Sequence, residues 1–167
     1  MTKSEELSQI AQKAGEILLG RGWRLATVES CTGGWICQVV TSLAGSSDWF
    51  ECGFVTYSNA SKSSLAGVPG SLISSHGAVS GQVAEAMVSG ALGRTDASVV
   101  VSVTGIAGPG GGSEEKPVGT GYMAWLFPGQ EAVSERFHFH GDREAVRHQT
   151  VATALSELAR LAPVIPG

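Results

Sequence analysis

Ser30 and Cys31 stand side by side in the segment Thr27 to Gly34, Thr-Val-Glu-Ser-Cys-Thr-Gly-Gly. An apolar, strand-like run from Leu25 to Val28 meets there a glycine pair able to open a helix. Side chains at such a corner are lifted out of a sheet, and the backbone N–H groups that follow are unpaired and can hold an anion or an oxyanion. The chemistry this suits is nucleophilic attack on a carbonyl. A strand end with a serine cap is the alternative reading of the same residues. Cys31 is a second candidate nucleophile, because a helix N-terminus lowers a thiol pKa.

A serine nucleophile needs a base. None of the four histidines, His76, His138, His140 and His148, falls at an expected strand end beside Ser30, which disfavours a Ser-His-Asp triad. Lys62 is better placed. It follows Tyr57 in the first turns of an expected helix and is bracketed by Ala60, Ser61, Ser63 and Ser64. Burial lowers a lysine pKa and turns it into a general base. A fall of roughly three units costs about 4 kcal/mol, within what a buried site can impose. A solvated lysine on a short surface helix is the alternative.

Glycine is in excess, with 23 residues, and seven of them fall between Gly105 and Gly121. That loop lacks the Lys-[Ser/Thr] ending of a Walker P-loop and is not a dinucleotide fingerprint. It reads as a flexible lid, as a backbone nest for an anion, or as a plain long loop. Arg143 and Arg147 lie four apart at the start of the last expected helix. Their spacing suits phosphate or carboxylate, or an ordinary solvated face. His138 and His140 share a strand face without a third ligand, so no metal is expected. Cys37 and Cys52 read as buried small apolar residues.

The elements that must position these groups follow from periodicity. Leu7, Ile10, Ala11, Ala14, Ile17 and Leu18 mark a first helix ended by Gly20 and Gly22. Strands are expected at Arg24 to Glu29, Cys52 to Tyr57, Ala97 to Val103, Thr120 to Phe127 and Ala132 to Phe139, the last two joined at Pro128-Gly129. Helices are expected from about Gly34 to Leu43, at Asn59 to Leu65, around Ala84 to Leu92 with Ser80 as cap, and from near Asp142. The last should bury Val151, Ala154, Leu155, Leu158 and Leu161. This alternation predicts a three-layer α/β/α sandwich on a mixed sheet, with one domain over residues 1–167. Ligand sites in such sheets gather at strand carboxyl ends. Three polar motifs fall there: Glu29 to Thr32, Thr56 to Asn59, and Thr104-Gly105.

Composition narrows the function class. The 167 residues are 43% hydrophobic and 16% charged, with net charge −4 and no basic run, which argues against nucleic acid as the main partner. Charges interrupt Met1 to Leu18, so that segment is neither a signal peptide nor a membrane span. Three irregularly spaced cysteines define no disulfide framework, and the expected compartment is the cytoplasm. Trp23, Trp35, Trp49 and Trp125 suit a core or an interface, which keeps a homo-oligomer open.

Together the motifs closely resemble the CinA (competence/damage-inducible) carboxy-terminal domain family. The matching stretches are Glu29-Ser-Cys-Thr-Gly-Gly34, Gly45-Ser-Ser47, Thr56-Tyr-Ser-Asn59 with Lys62, and His76-Gly-Ala-Val-Ser80. Further along come Val103-Thr-Gly-Ile-Ala-Gly-Pro-Gly-Gly-Gly112, Lys116-Pro-Val-Gly119 and Gly141-Asp-Arg143. They run in family order and cover nearly the whole chain. Val28 departs from the family, which more often has Ala there. The resemblance implies a stand-alone form without the molybdopterin-binding-like domain of two-domain members. It implies a mixed, mainly parallel five-stranded sheet and nicotinamide mononucleotide deamidase activity without metal or cofactor. It also implies a Ser30 nucleophile with Lys62 as base, and Tyr57 as a further proton donor. Cys31, Thr32, Gly33 and Gly34 would hold the oxyanion, and Thr104, Gly105 and Arg143 would contact the substrate.

Overall fold

Five strands, β1 (Leu25–Glu29), β2 (Phe50–Val55), β3 (Val99–Gly105), β4 (Thr120–Leu126) and β5 (Val133–His138), form one sheet in the order β2-β1-β3-β4-β5. The computed structural model describes all residues, Met1–Gly167. β1 pairs in parallel with both β2 and β3, whereas β4 runs antiparallel to β3 and β5. Only β4 therefore runs against the other four, and the sheet is mixed as expected. Six helices cover it: α1 (Lys3–Arg21), α2 (Trp35–Thr41), α3 (Asn59–Ala66), α4 (Gly70–His76), α5 (Gly81–Leu92) and α6 (Arg143–Leu161).

Alternation along the strands splits the core into two layers. Leu25, Val99, Val101, Val103, Met123 and Trp125 face α1, α2 and α6. Ala26, Val28, Val100 and Ala124 face the other way, onto Val83, Ala84, Met87 and Val88 of α5. α6 buries Val151, Ala154, Leu155 and Leu158 in the first layer, whereas Leu161 is only half-buried at the helix end. No helix is long and apolar enough to cross a membrane.

Several boundaries differ from the sequence reading, each for a local reason. Gly20 lies inside α1, because one helical glycine costs only about 1 kcal/mol. Gly22 closes the helix at φ 65°, donating to Leu18 O and Leu19 O. β2 stops two residues early, at Val55. Its partner β1 ends at Glu29, which is paired with Val55, so Thr56 and Tyr57 have no strand left to pair with. β3 ends two residues late, at Gly105, because β4 continues the ladder through Thr104 to Tyr122 and Gly105 to Gly121. α4 has no counterpart among the elements expected from periodicity. It buries no residue fully, so it carries no apolar period to read.

Candidate active site

The chain passes from β1 to β2 on one side and returns through α3, α4 and α5 to β3 on the other. The three parallel carboxyl ends therefore open onto one crevice at the switch point. Ser30 follows β1, Thr56 and Tyr57 follow β2, and Thr104 and Gly105 end β3. A cleft of about 310 Å³ lies there, and each of the three motifs contributes to its lining.

The turn after β1 is built by its own backbone. Ser30 N–H donates to Val103 O at 3.1 Å, and Gly33 N–H donates back to Ser30 O at 3.0 Å. Gly33 and Gly34 then take φ of 60° and 97°, a left-handed pair that residues with a Cβ rarely adopt. Glu29, fully buried, secures the next element. Its carboxylate accepts from Thr32 Oγ1 at 2.7 Å, Ile36 N at 2.8 Å and Cys37 N at 3.1 Å. Gly34, the N-cap of α2, has no side chain to cap with, so Glu29 supplies the acceptors from one strand end away. The sequence displayed Glu29 within the motif, but an acidic residue before Ser-Cys does not by itself announce that it will turn onto the helix.

Lys62 comes to the same place from α3. Ser58 starts that helix by accepting from Ser61 N at 3.0 Å, and Lys62 then reaches back under the β2 end. Its Nζ lies 3.0 Å from Ser30 Oγ, 2.9 Å from Thr56 O and 3.2 Å from Tyr57 O. The side chain is 1% exposed, so the solvated alternative does not hold. Burial holds its pKa below the ordinary lysine value, with the Cys31 thiol a smaller influence in the other direction.

Cys31 departs from expectation. Burial pushes its thiol up to about 11. The expected lowering by a helix terminus does not arrive, since α2 begins only at Trp35 and Glu29 takes the Ile36 and Cys37 N–H groups. Cys37 and Cys52 are half-buried rather than buried. Cys37 Sγ packs 3.0 Å from Thr27 Oγ1.

The remaining predicted residues divide. Tyr57, Thr104, Gly105 and Arg143 line the cleft with Ser30, Cys31 and Lys62. Arg143 bridges its rim, with Nη1 donating to Gly108 O at 2.7 Å and Nη2 to Tyr57 OH at 3.3 Å. Thr104 Oγ1 donates to Ala78 O at 2.8 Å, tying the segment before α5 to β3. Thr32, Gly33 and Gly34 do not line the cleft. Thr32 is fully buried with its hydroxyl on Glu29, and Gly33 spends its N–H on Ser30 O. Arg147, read as a partner of Arg143 for an anion, instead donates to Cys31 O and Thr32 O, both at 3.0 Å. None of the histidines lines the cleft. Asn59 of the second motif and Ile106, Ala107, Gly108, Gly110 and Gly111 of the glycine-rich loop complete the wall with Ala78 and Val79, the two to which the sequence gives no role. Apolar side chains at loop positions give no chemical signal.

A family model described as the CinA C-terminal domain matches residues 7–162. This chain belongs to the CinA C-terminal domain family. Among family relatives, the nicotinamide-nucleotide amidohydrolase PncC of Escherichia coli (strain K12) is 51% identical over 158 residues, 95% of each chain. The nicotinamide-nucleotide amidohydrolase PncC of Pseudomonas putida is 50% identical over 157 residues, 94% of this chain and 98% of that one. The crystal structure of the competence damage-inducible protein A (ComA) from Klebsiella pneumoniae subsp. pneumoniae MGH 78578 superposes with a TM-score of 0.92 at 34% identity. That superposition covers 96% of this chain and 99% of the other. The CinA-type α/β fold, with its mixed five-stranded sheet, is thus common to this chain and that structure.

Proposed function

We propose that this protein is a nicotinamide-nucleotide amidohydrolase. It converts nicotinamide mononucleotide and water into nicotinic acid mononucleotide and ammonia, in cytoplasmic pyridine-nucleotide salvage, through one catalytic domain over residues 1–167. The carrying observation is the buried Lys62 amine 3.0 Å from Ser30 Oγ, in a chain half identical to relatives named for this activity.

The carbonyls of Thr56 and Tyr57 accept two N–H bonds from Lys62. In the neutral amine these take both protons and leave the lone pair for Ser30. Ser30 Oγ then attacks the carboxamide carbon as its proton passes to Lys62. The positive pyridinium ring draws electrons from that carbon and makes it a better electrophile. Developing charge on the carboxamide oxygen is met by backbone N–H groups. Cys31 N–H is the leading donor, since it follows the nucleophile, borders the cleft and has no acceptor within the protein. The N–H groups of Ala107 and Gly108 across the cleft are likewise without protein acceptors.

Collapse of the tetrahedral intermediate breaks the C–N bond, and protonated Lys62, directly or by relay through the Tyr57 phenol, gives up the proton that lets ammonia leave and returns to the neutral amine. Water, deprotonated by Lys62, cleaves the acyl-serine and restores Ser30. Thr104 and Gly105 form the wall against the nucleotide, and Arg143 on the rim takes its 5′-phosphate. Its two present partners, a carbonyl and a phenol, are ones that a phosphate can outcompete.

Ammonia release from nicotinamide mononucleotide by the purified protein, with Ser30→Ala and Lys62→Ala alongside, tests this reading. Turnover lost in both variants at unchanged melting is the expected result. A melting shift with nucleotide but no ammonia from the unmodified protein would replace the enzyme with a nucleotide-binding partner protein.

A further inference from the structure

Arg147 stays outside the cleft, yet it grips the turn that carries Ser30. Nε donates to Cys31 O and Nη2 to Thr32 O, each at 3.0 Å. Its guanidinium carbon stands 5.3 Å from the centre of the Trp35 ring. It has no carboxylate partner in the structure. A fork-shaped donor holding two successive carbonyls fixes the orientation of two successive peptide planes.

The consequence follows from peptide planarity, since the C=O and N–H of one trans peptide point in opposite directions. Thr32 C=O aimed at Arg147 turns Gly33 N–H away from it, and that N–H donates to Ser30 O at 3.0 Å. Ser30 C=O, held in this way, sets the opposite direction for Cys31 N–H. A path of two planar peptides and one hydrogen bond thus joins Arg147 to the amide beside the nucleophile. The restraint matters here because Gly33 and Gly34, both at positive φ, leave this backbone softer than any other pair of residues would.

We infer that Arg147 is a positioning residue, presetting Cys31 N–H as the oxyanion donor through Thr32 C=O and Gly33 N–H. The inference rests on the amidohydrolase reading above. Arg147 would then act on the transition state and leave substrate binding alone, which separates it from Arg143 on the rim.

Steady-state ammonia release from nicotinamide mononucleotide by Arg147→Ala and Arg147→Lys tests it, with melting recorded for each. Losing an oxyanion donor costs about 10²–10³-fold in kcat. For Arg147→Ala the expected result is a kcat loss of that order, KM within about threefold, and partial recovery on adding methylguanidinium. Arg147→Lys retains the charge but has no fork, and should lose kcat about tenfold or more while melting normally. That variant carries the test if Arg147→Ala does not fold. Native kcat in Arg147→Lys, or in folded Arg147→Ala with only a lowered melting point, would make Arg147 a strut and overturn the inference. A raised KM at native kcat would make it a substrate contact and overturn it as well. No ammonia from the unmodified protein would instead overturn the amidohydrolase reading, and the positioning role with it.

Discussion

Lys62 Nζ lies 3.0 Å from Ser30 Oγ, and its other close partners are two backbone carbonyls with no carboxylate among them. That arrangement separates it from a structural ion pair. A buried lysine held by a carboxylate stays charged, whereas one faced only by neutral oxygens is pushed toward the neutral amine. The separation of 32 positions in sequence between the two residues is spanned by α2, the parallel pairing of β1 with β2, and the start of α3.

The pH dependence follows in sign. Burial holds the folded pKa of Lys62 below the ordinary 10.5. Between the folded and unfolded values the unfolded chain binds more protons, so this group adds stability as pH rises through that window. Below the folded value the full cost of the buried cation is present. Lys62→Met should therefore melt at or above the unmodified protein in acid, with its advantage shrinking as pH rises. The kcat/KM profile should climb with pH to a midpoint below 10.5. A midpoint at or above that value, or no ascending limb, would remove Lys62 as the base.

Cys31 should be chemically quiet. With its thiol raised by burial to about 11, its thiolate fraction at pH 8 falls about 100-fold below that of a thiol at the ordinary 9.0. Iodoacetamide should modify it correspondingly slowly in the folded protein. Cys31→Ala should keep turnover within about fivefold, since the role proposed for this position belongs to its backbone. Turnover lost in Cys31→Ala at native melting would return the thiol to the mechanism.

Glu29 should matter for stability. Oε1 accepts two bonds and Oε2 one, and an amide in its place turns a donor toward one set of these N–H or O–H groups. Glu29→Gln should lose about 1.5–3 kcal/mol, the range for a hydrogen bond to a charged group, measured by urea unfolding. A loss under about 0.5 kcal/mol would show that α2 does not depend on this cap.

What the residue order determined by itself is the local part. Apolar spacing placed five of the six helices and all five strands, because 3.6 and 2 residue periods are properties of a short window. Gly33-Gly34 marked the sharp turn after β1, since few other residues accept those angles. Tertiary structure decided what depends on partners. β2 and β3 end where β1 and β4 end or continue, not where their own apolar runs stop. Thr32 belongs to Glu29 rather than to the cleft, and Arg147 to two carbonyls rather than to an anion. Even the direction of the Cys31 pKa runs opposite to what its neighbours in sequence suggest. Burial is a sum over everything packed around a group, and that sum exists only once the chain has closed.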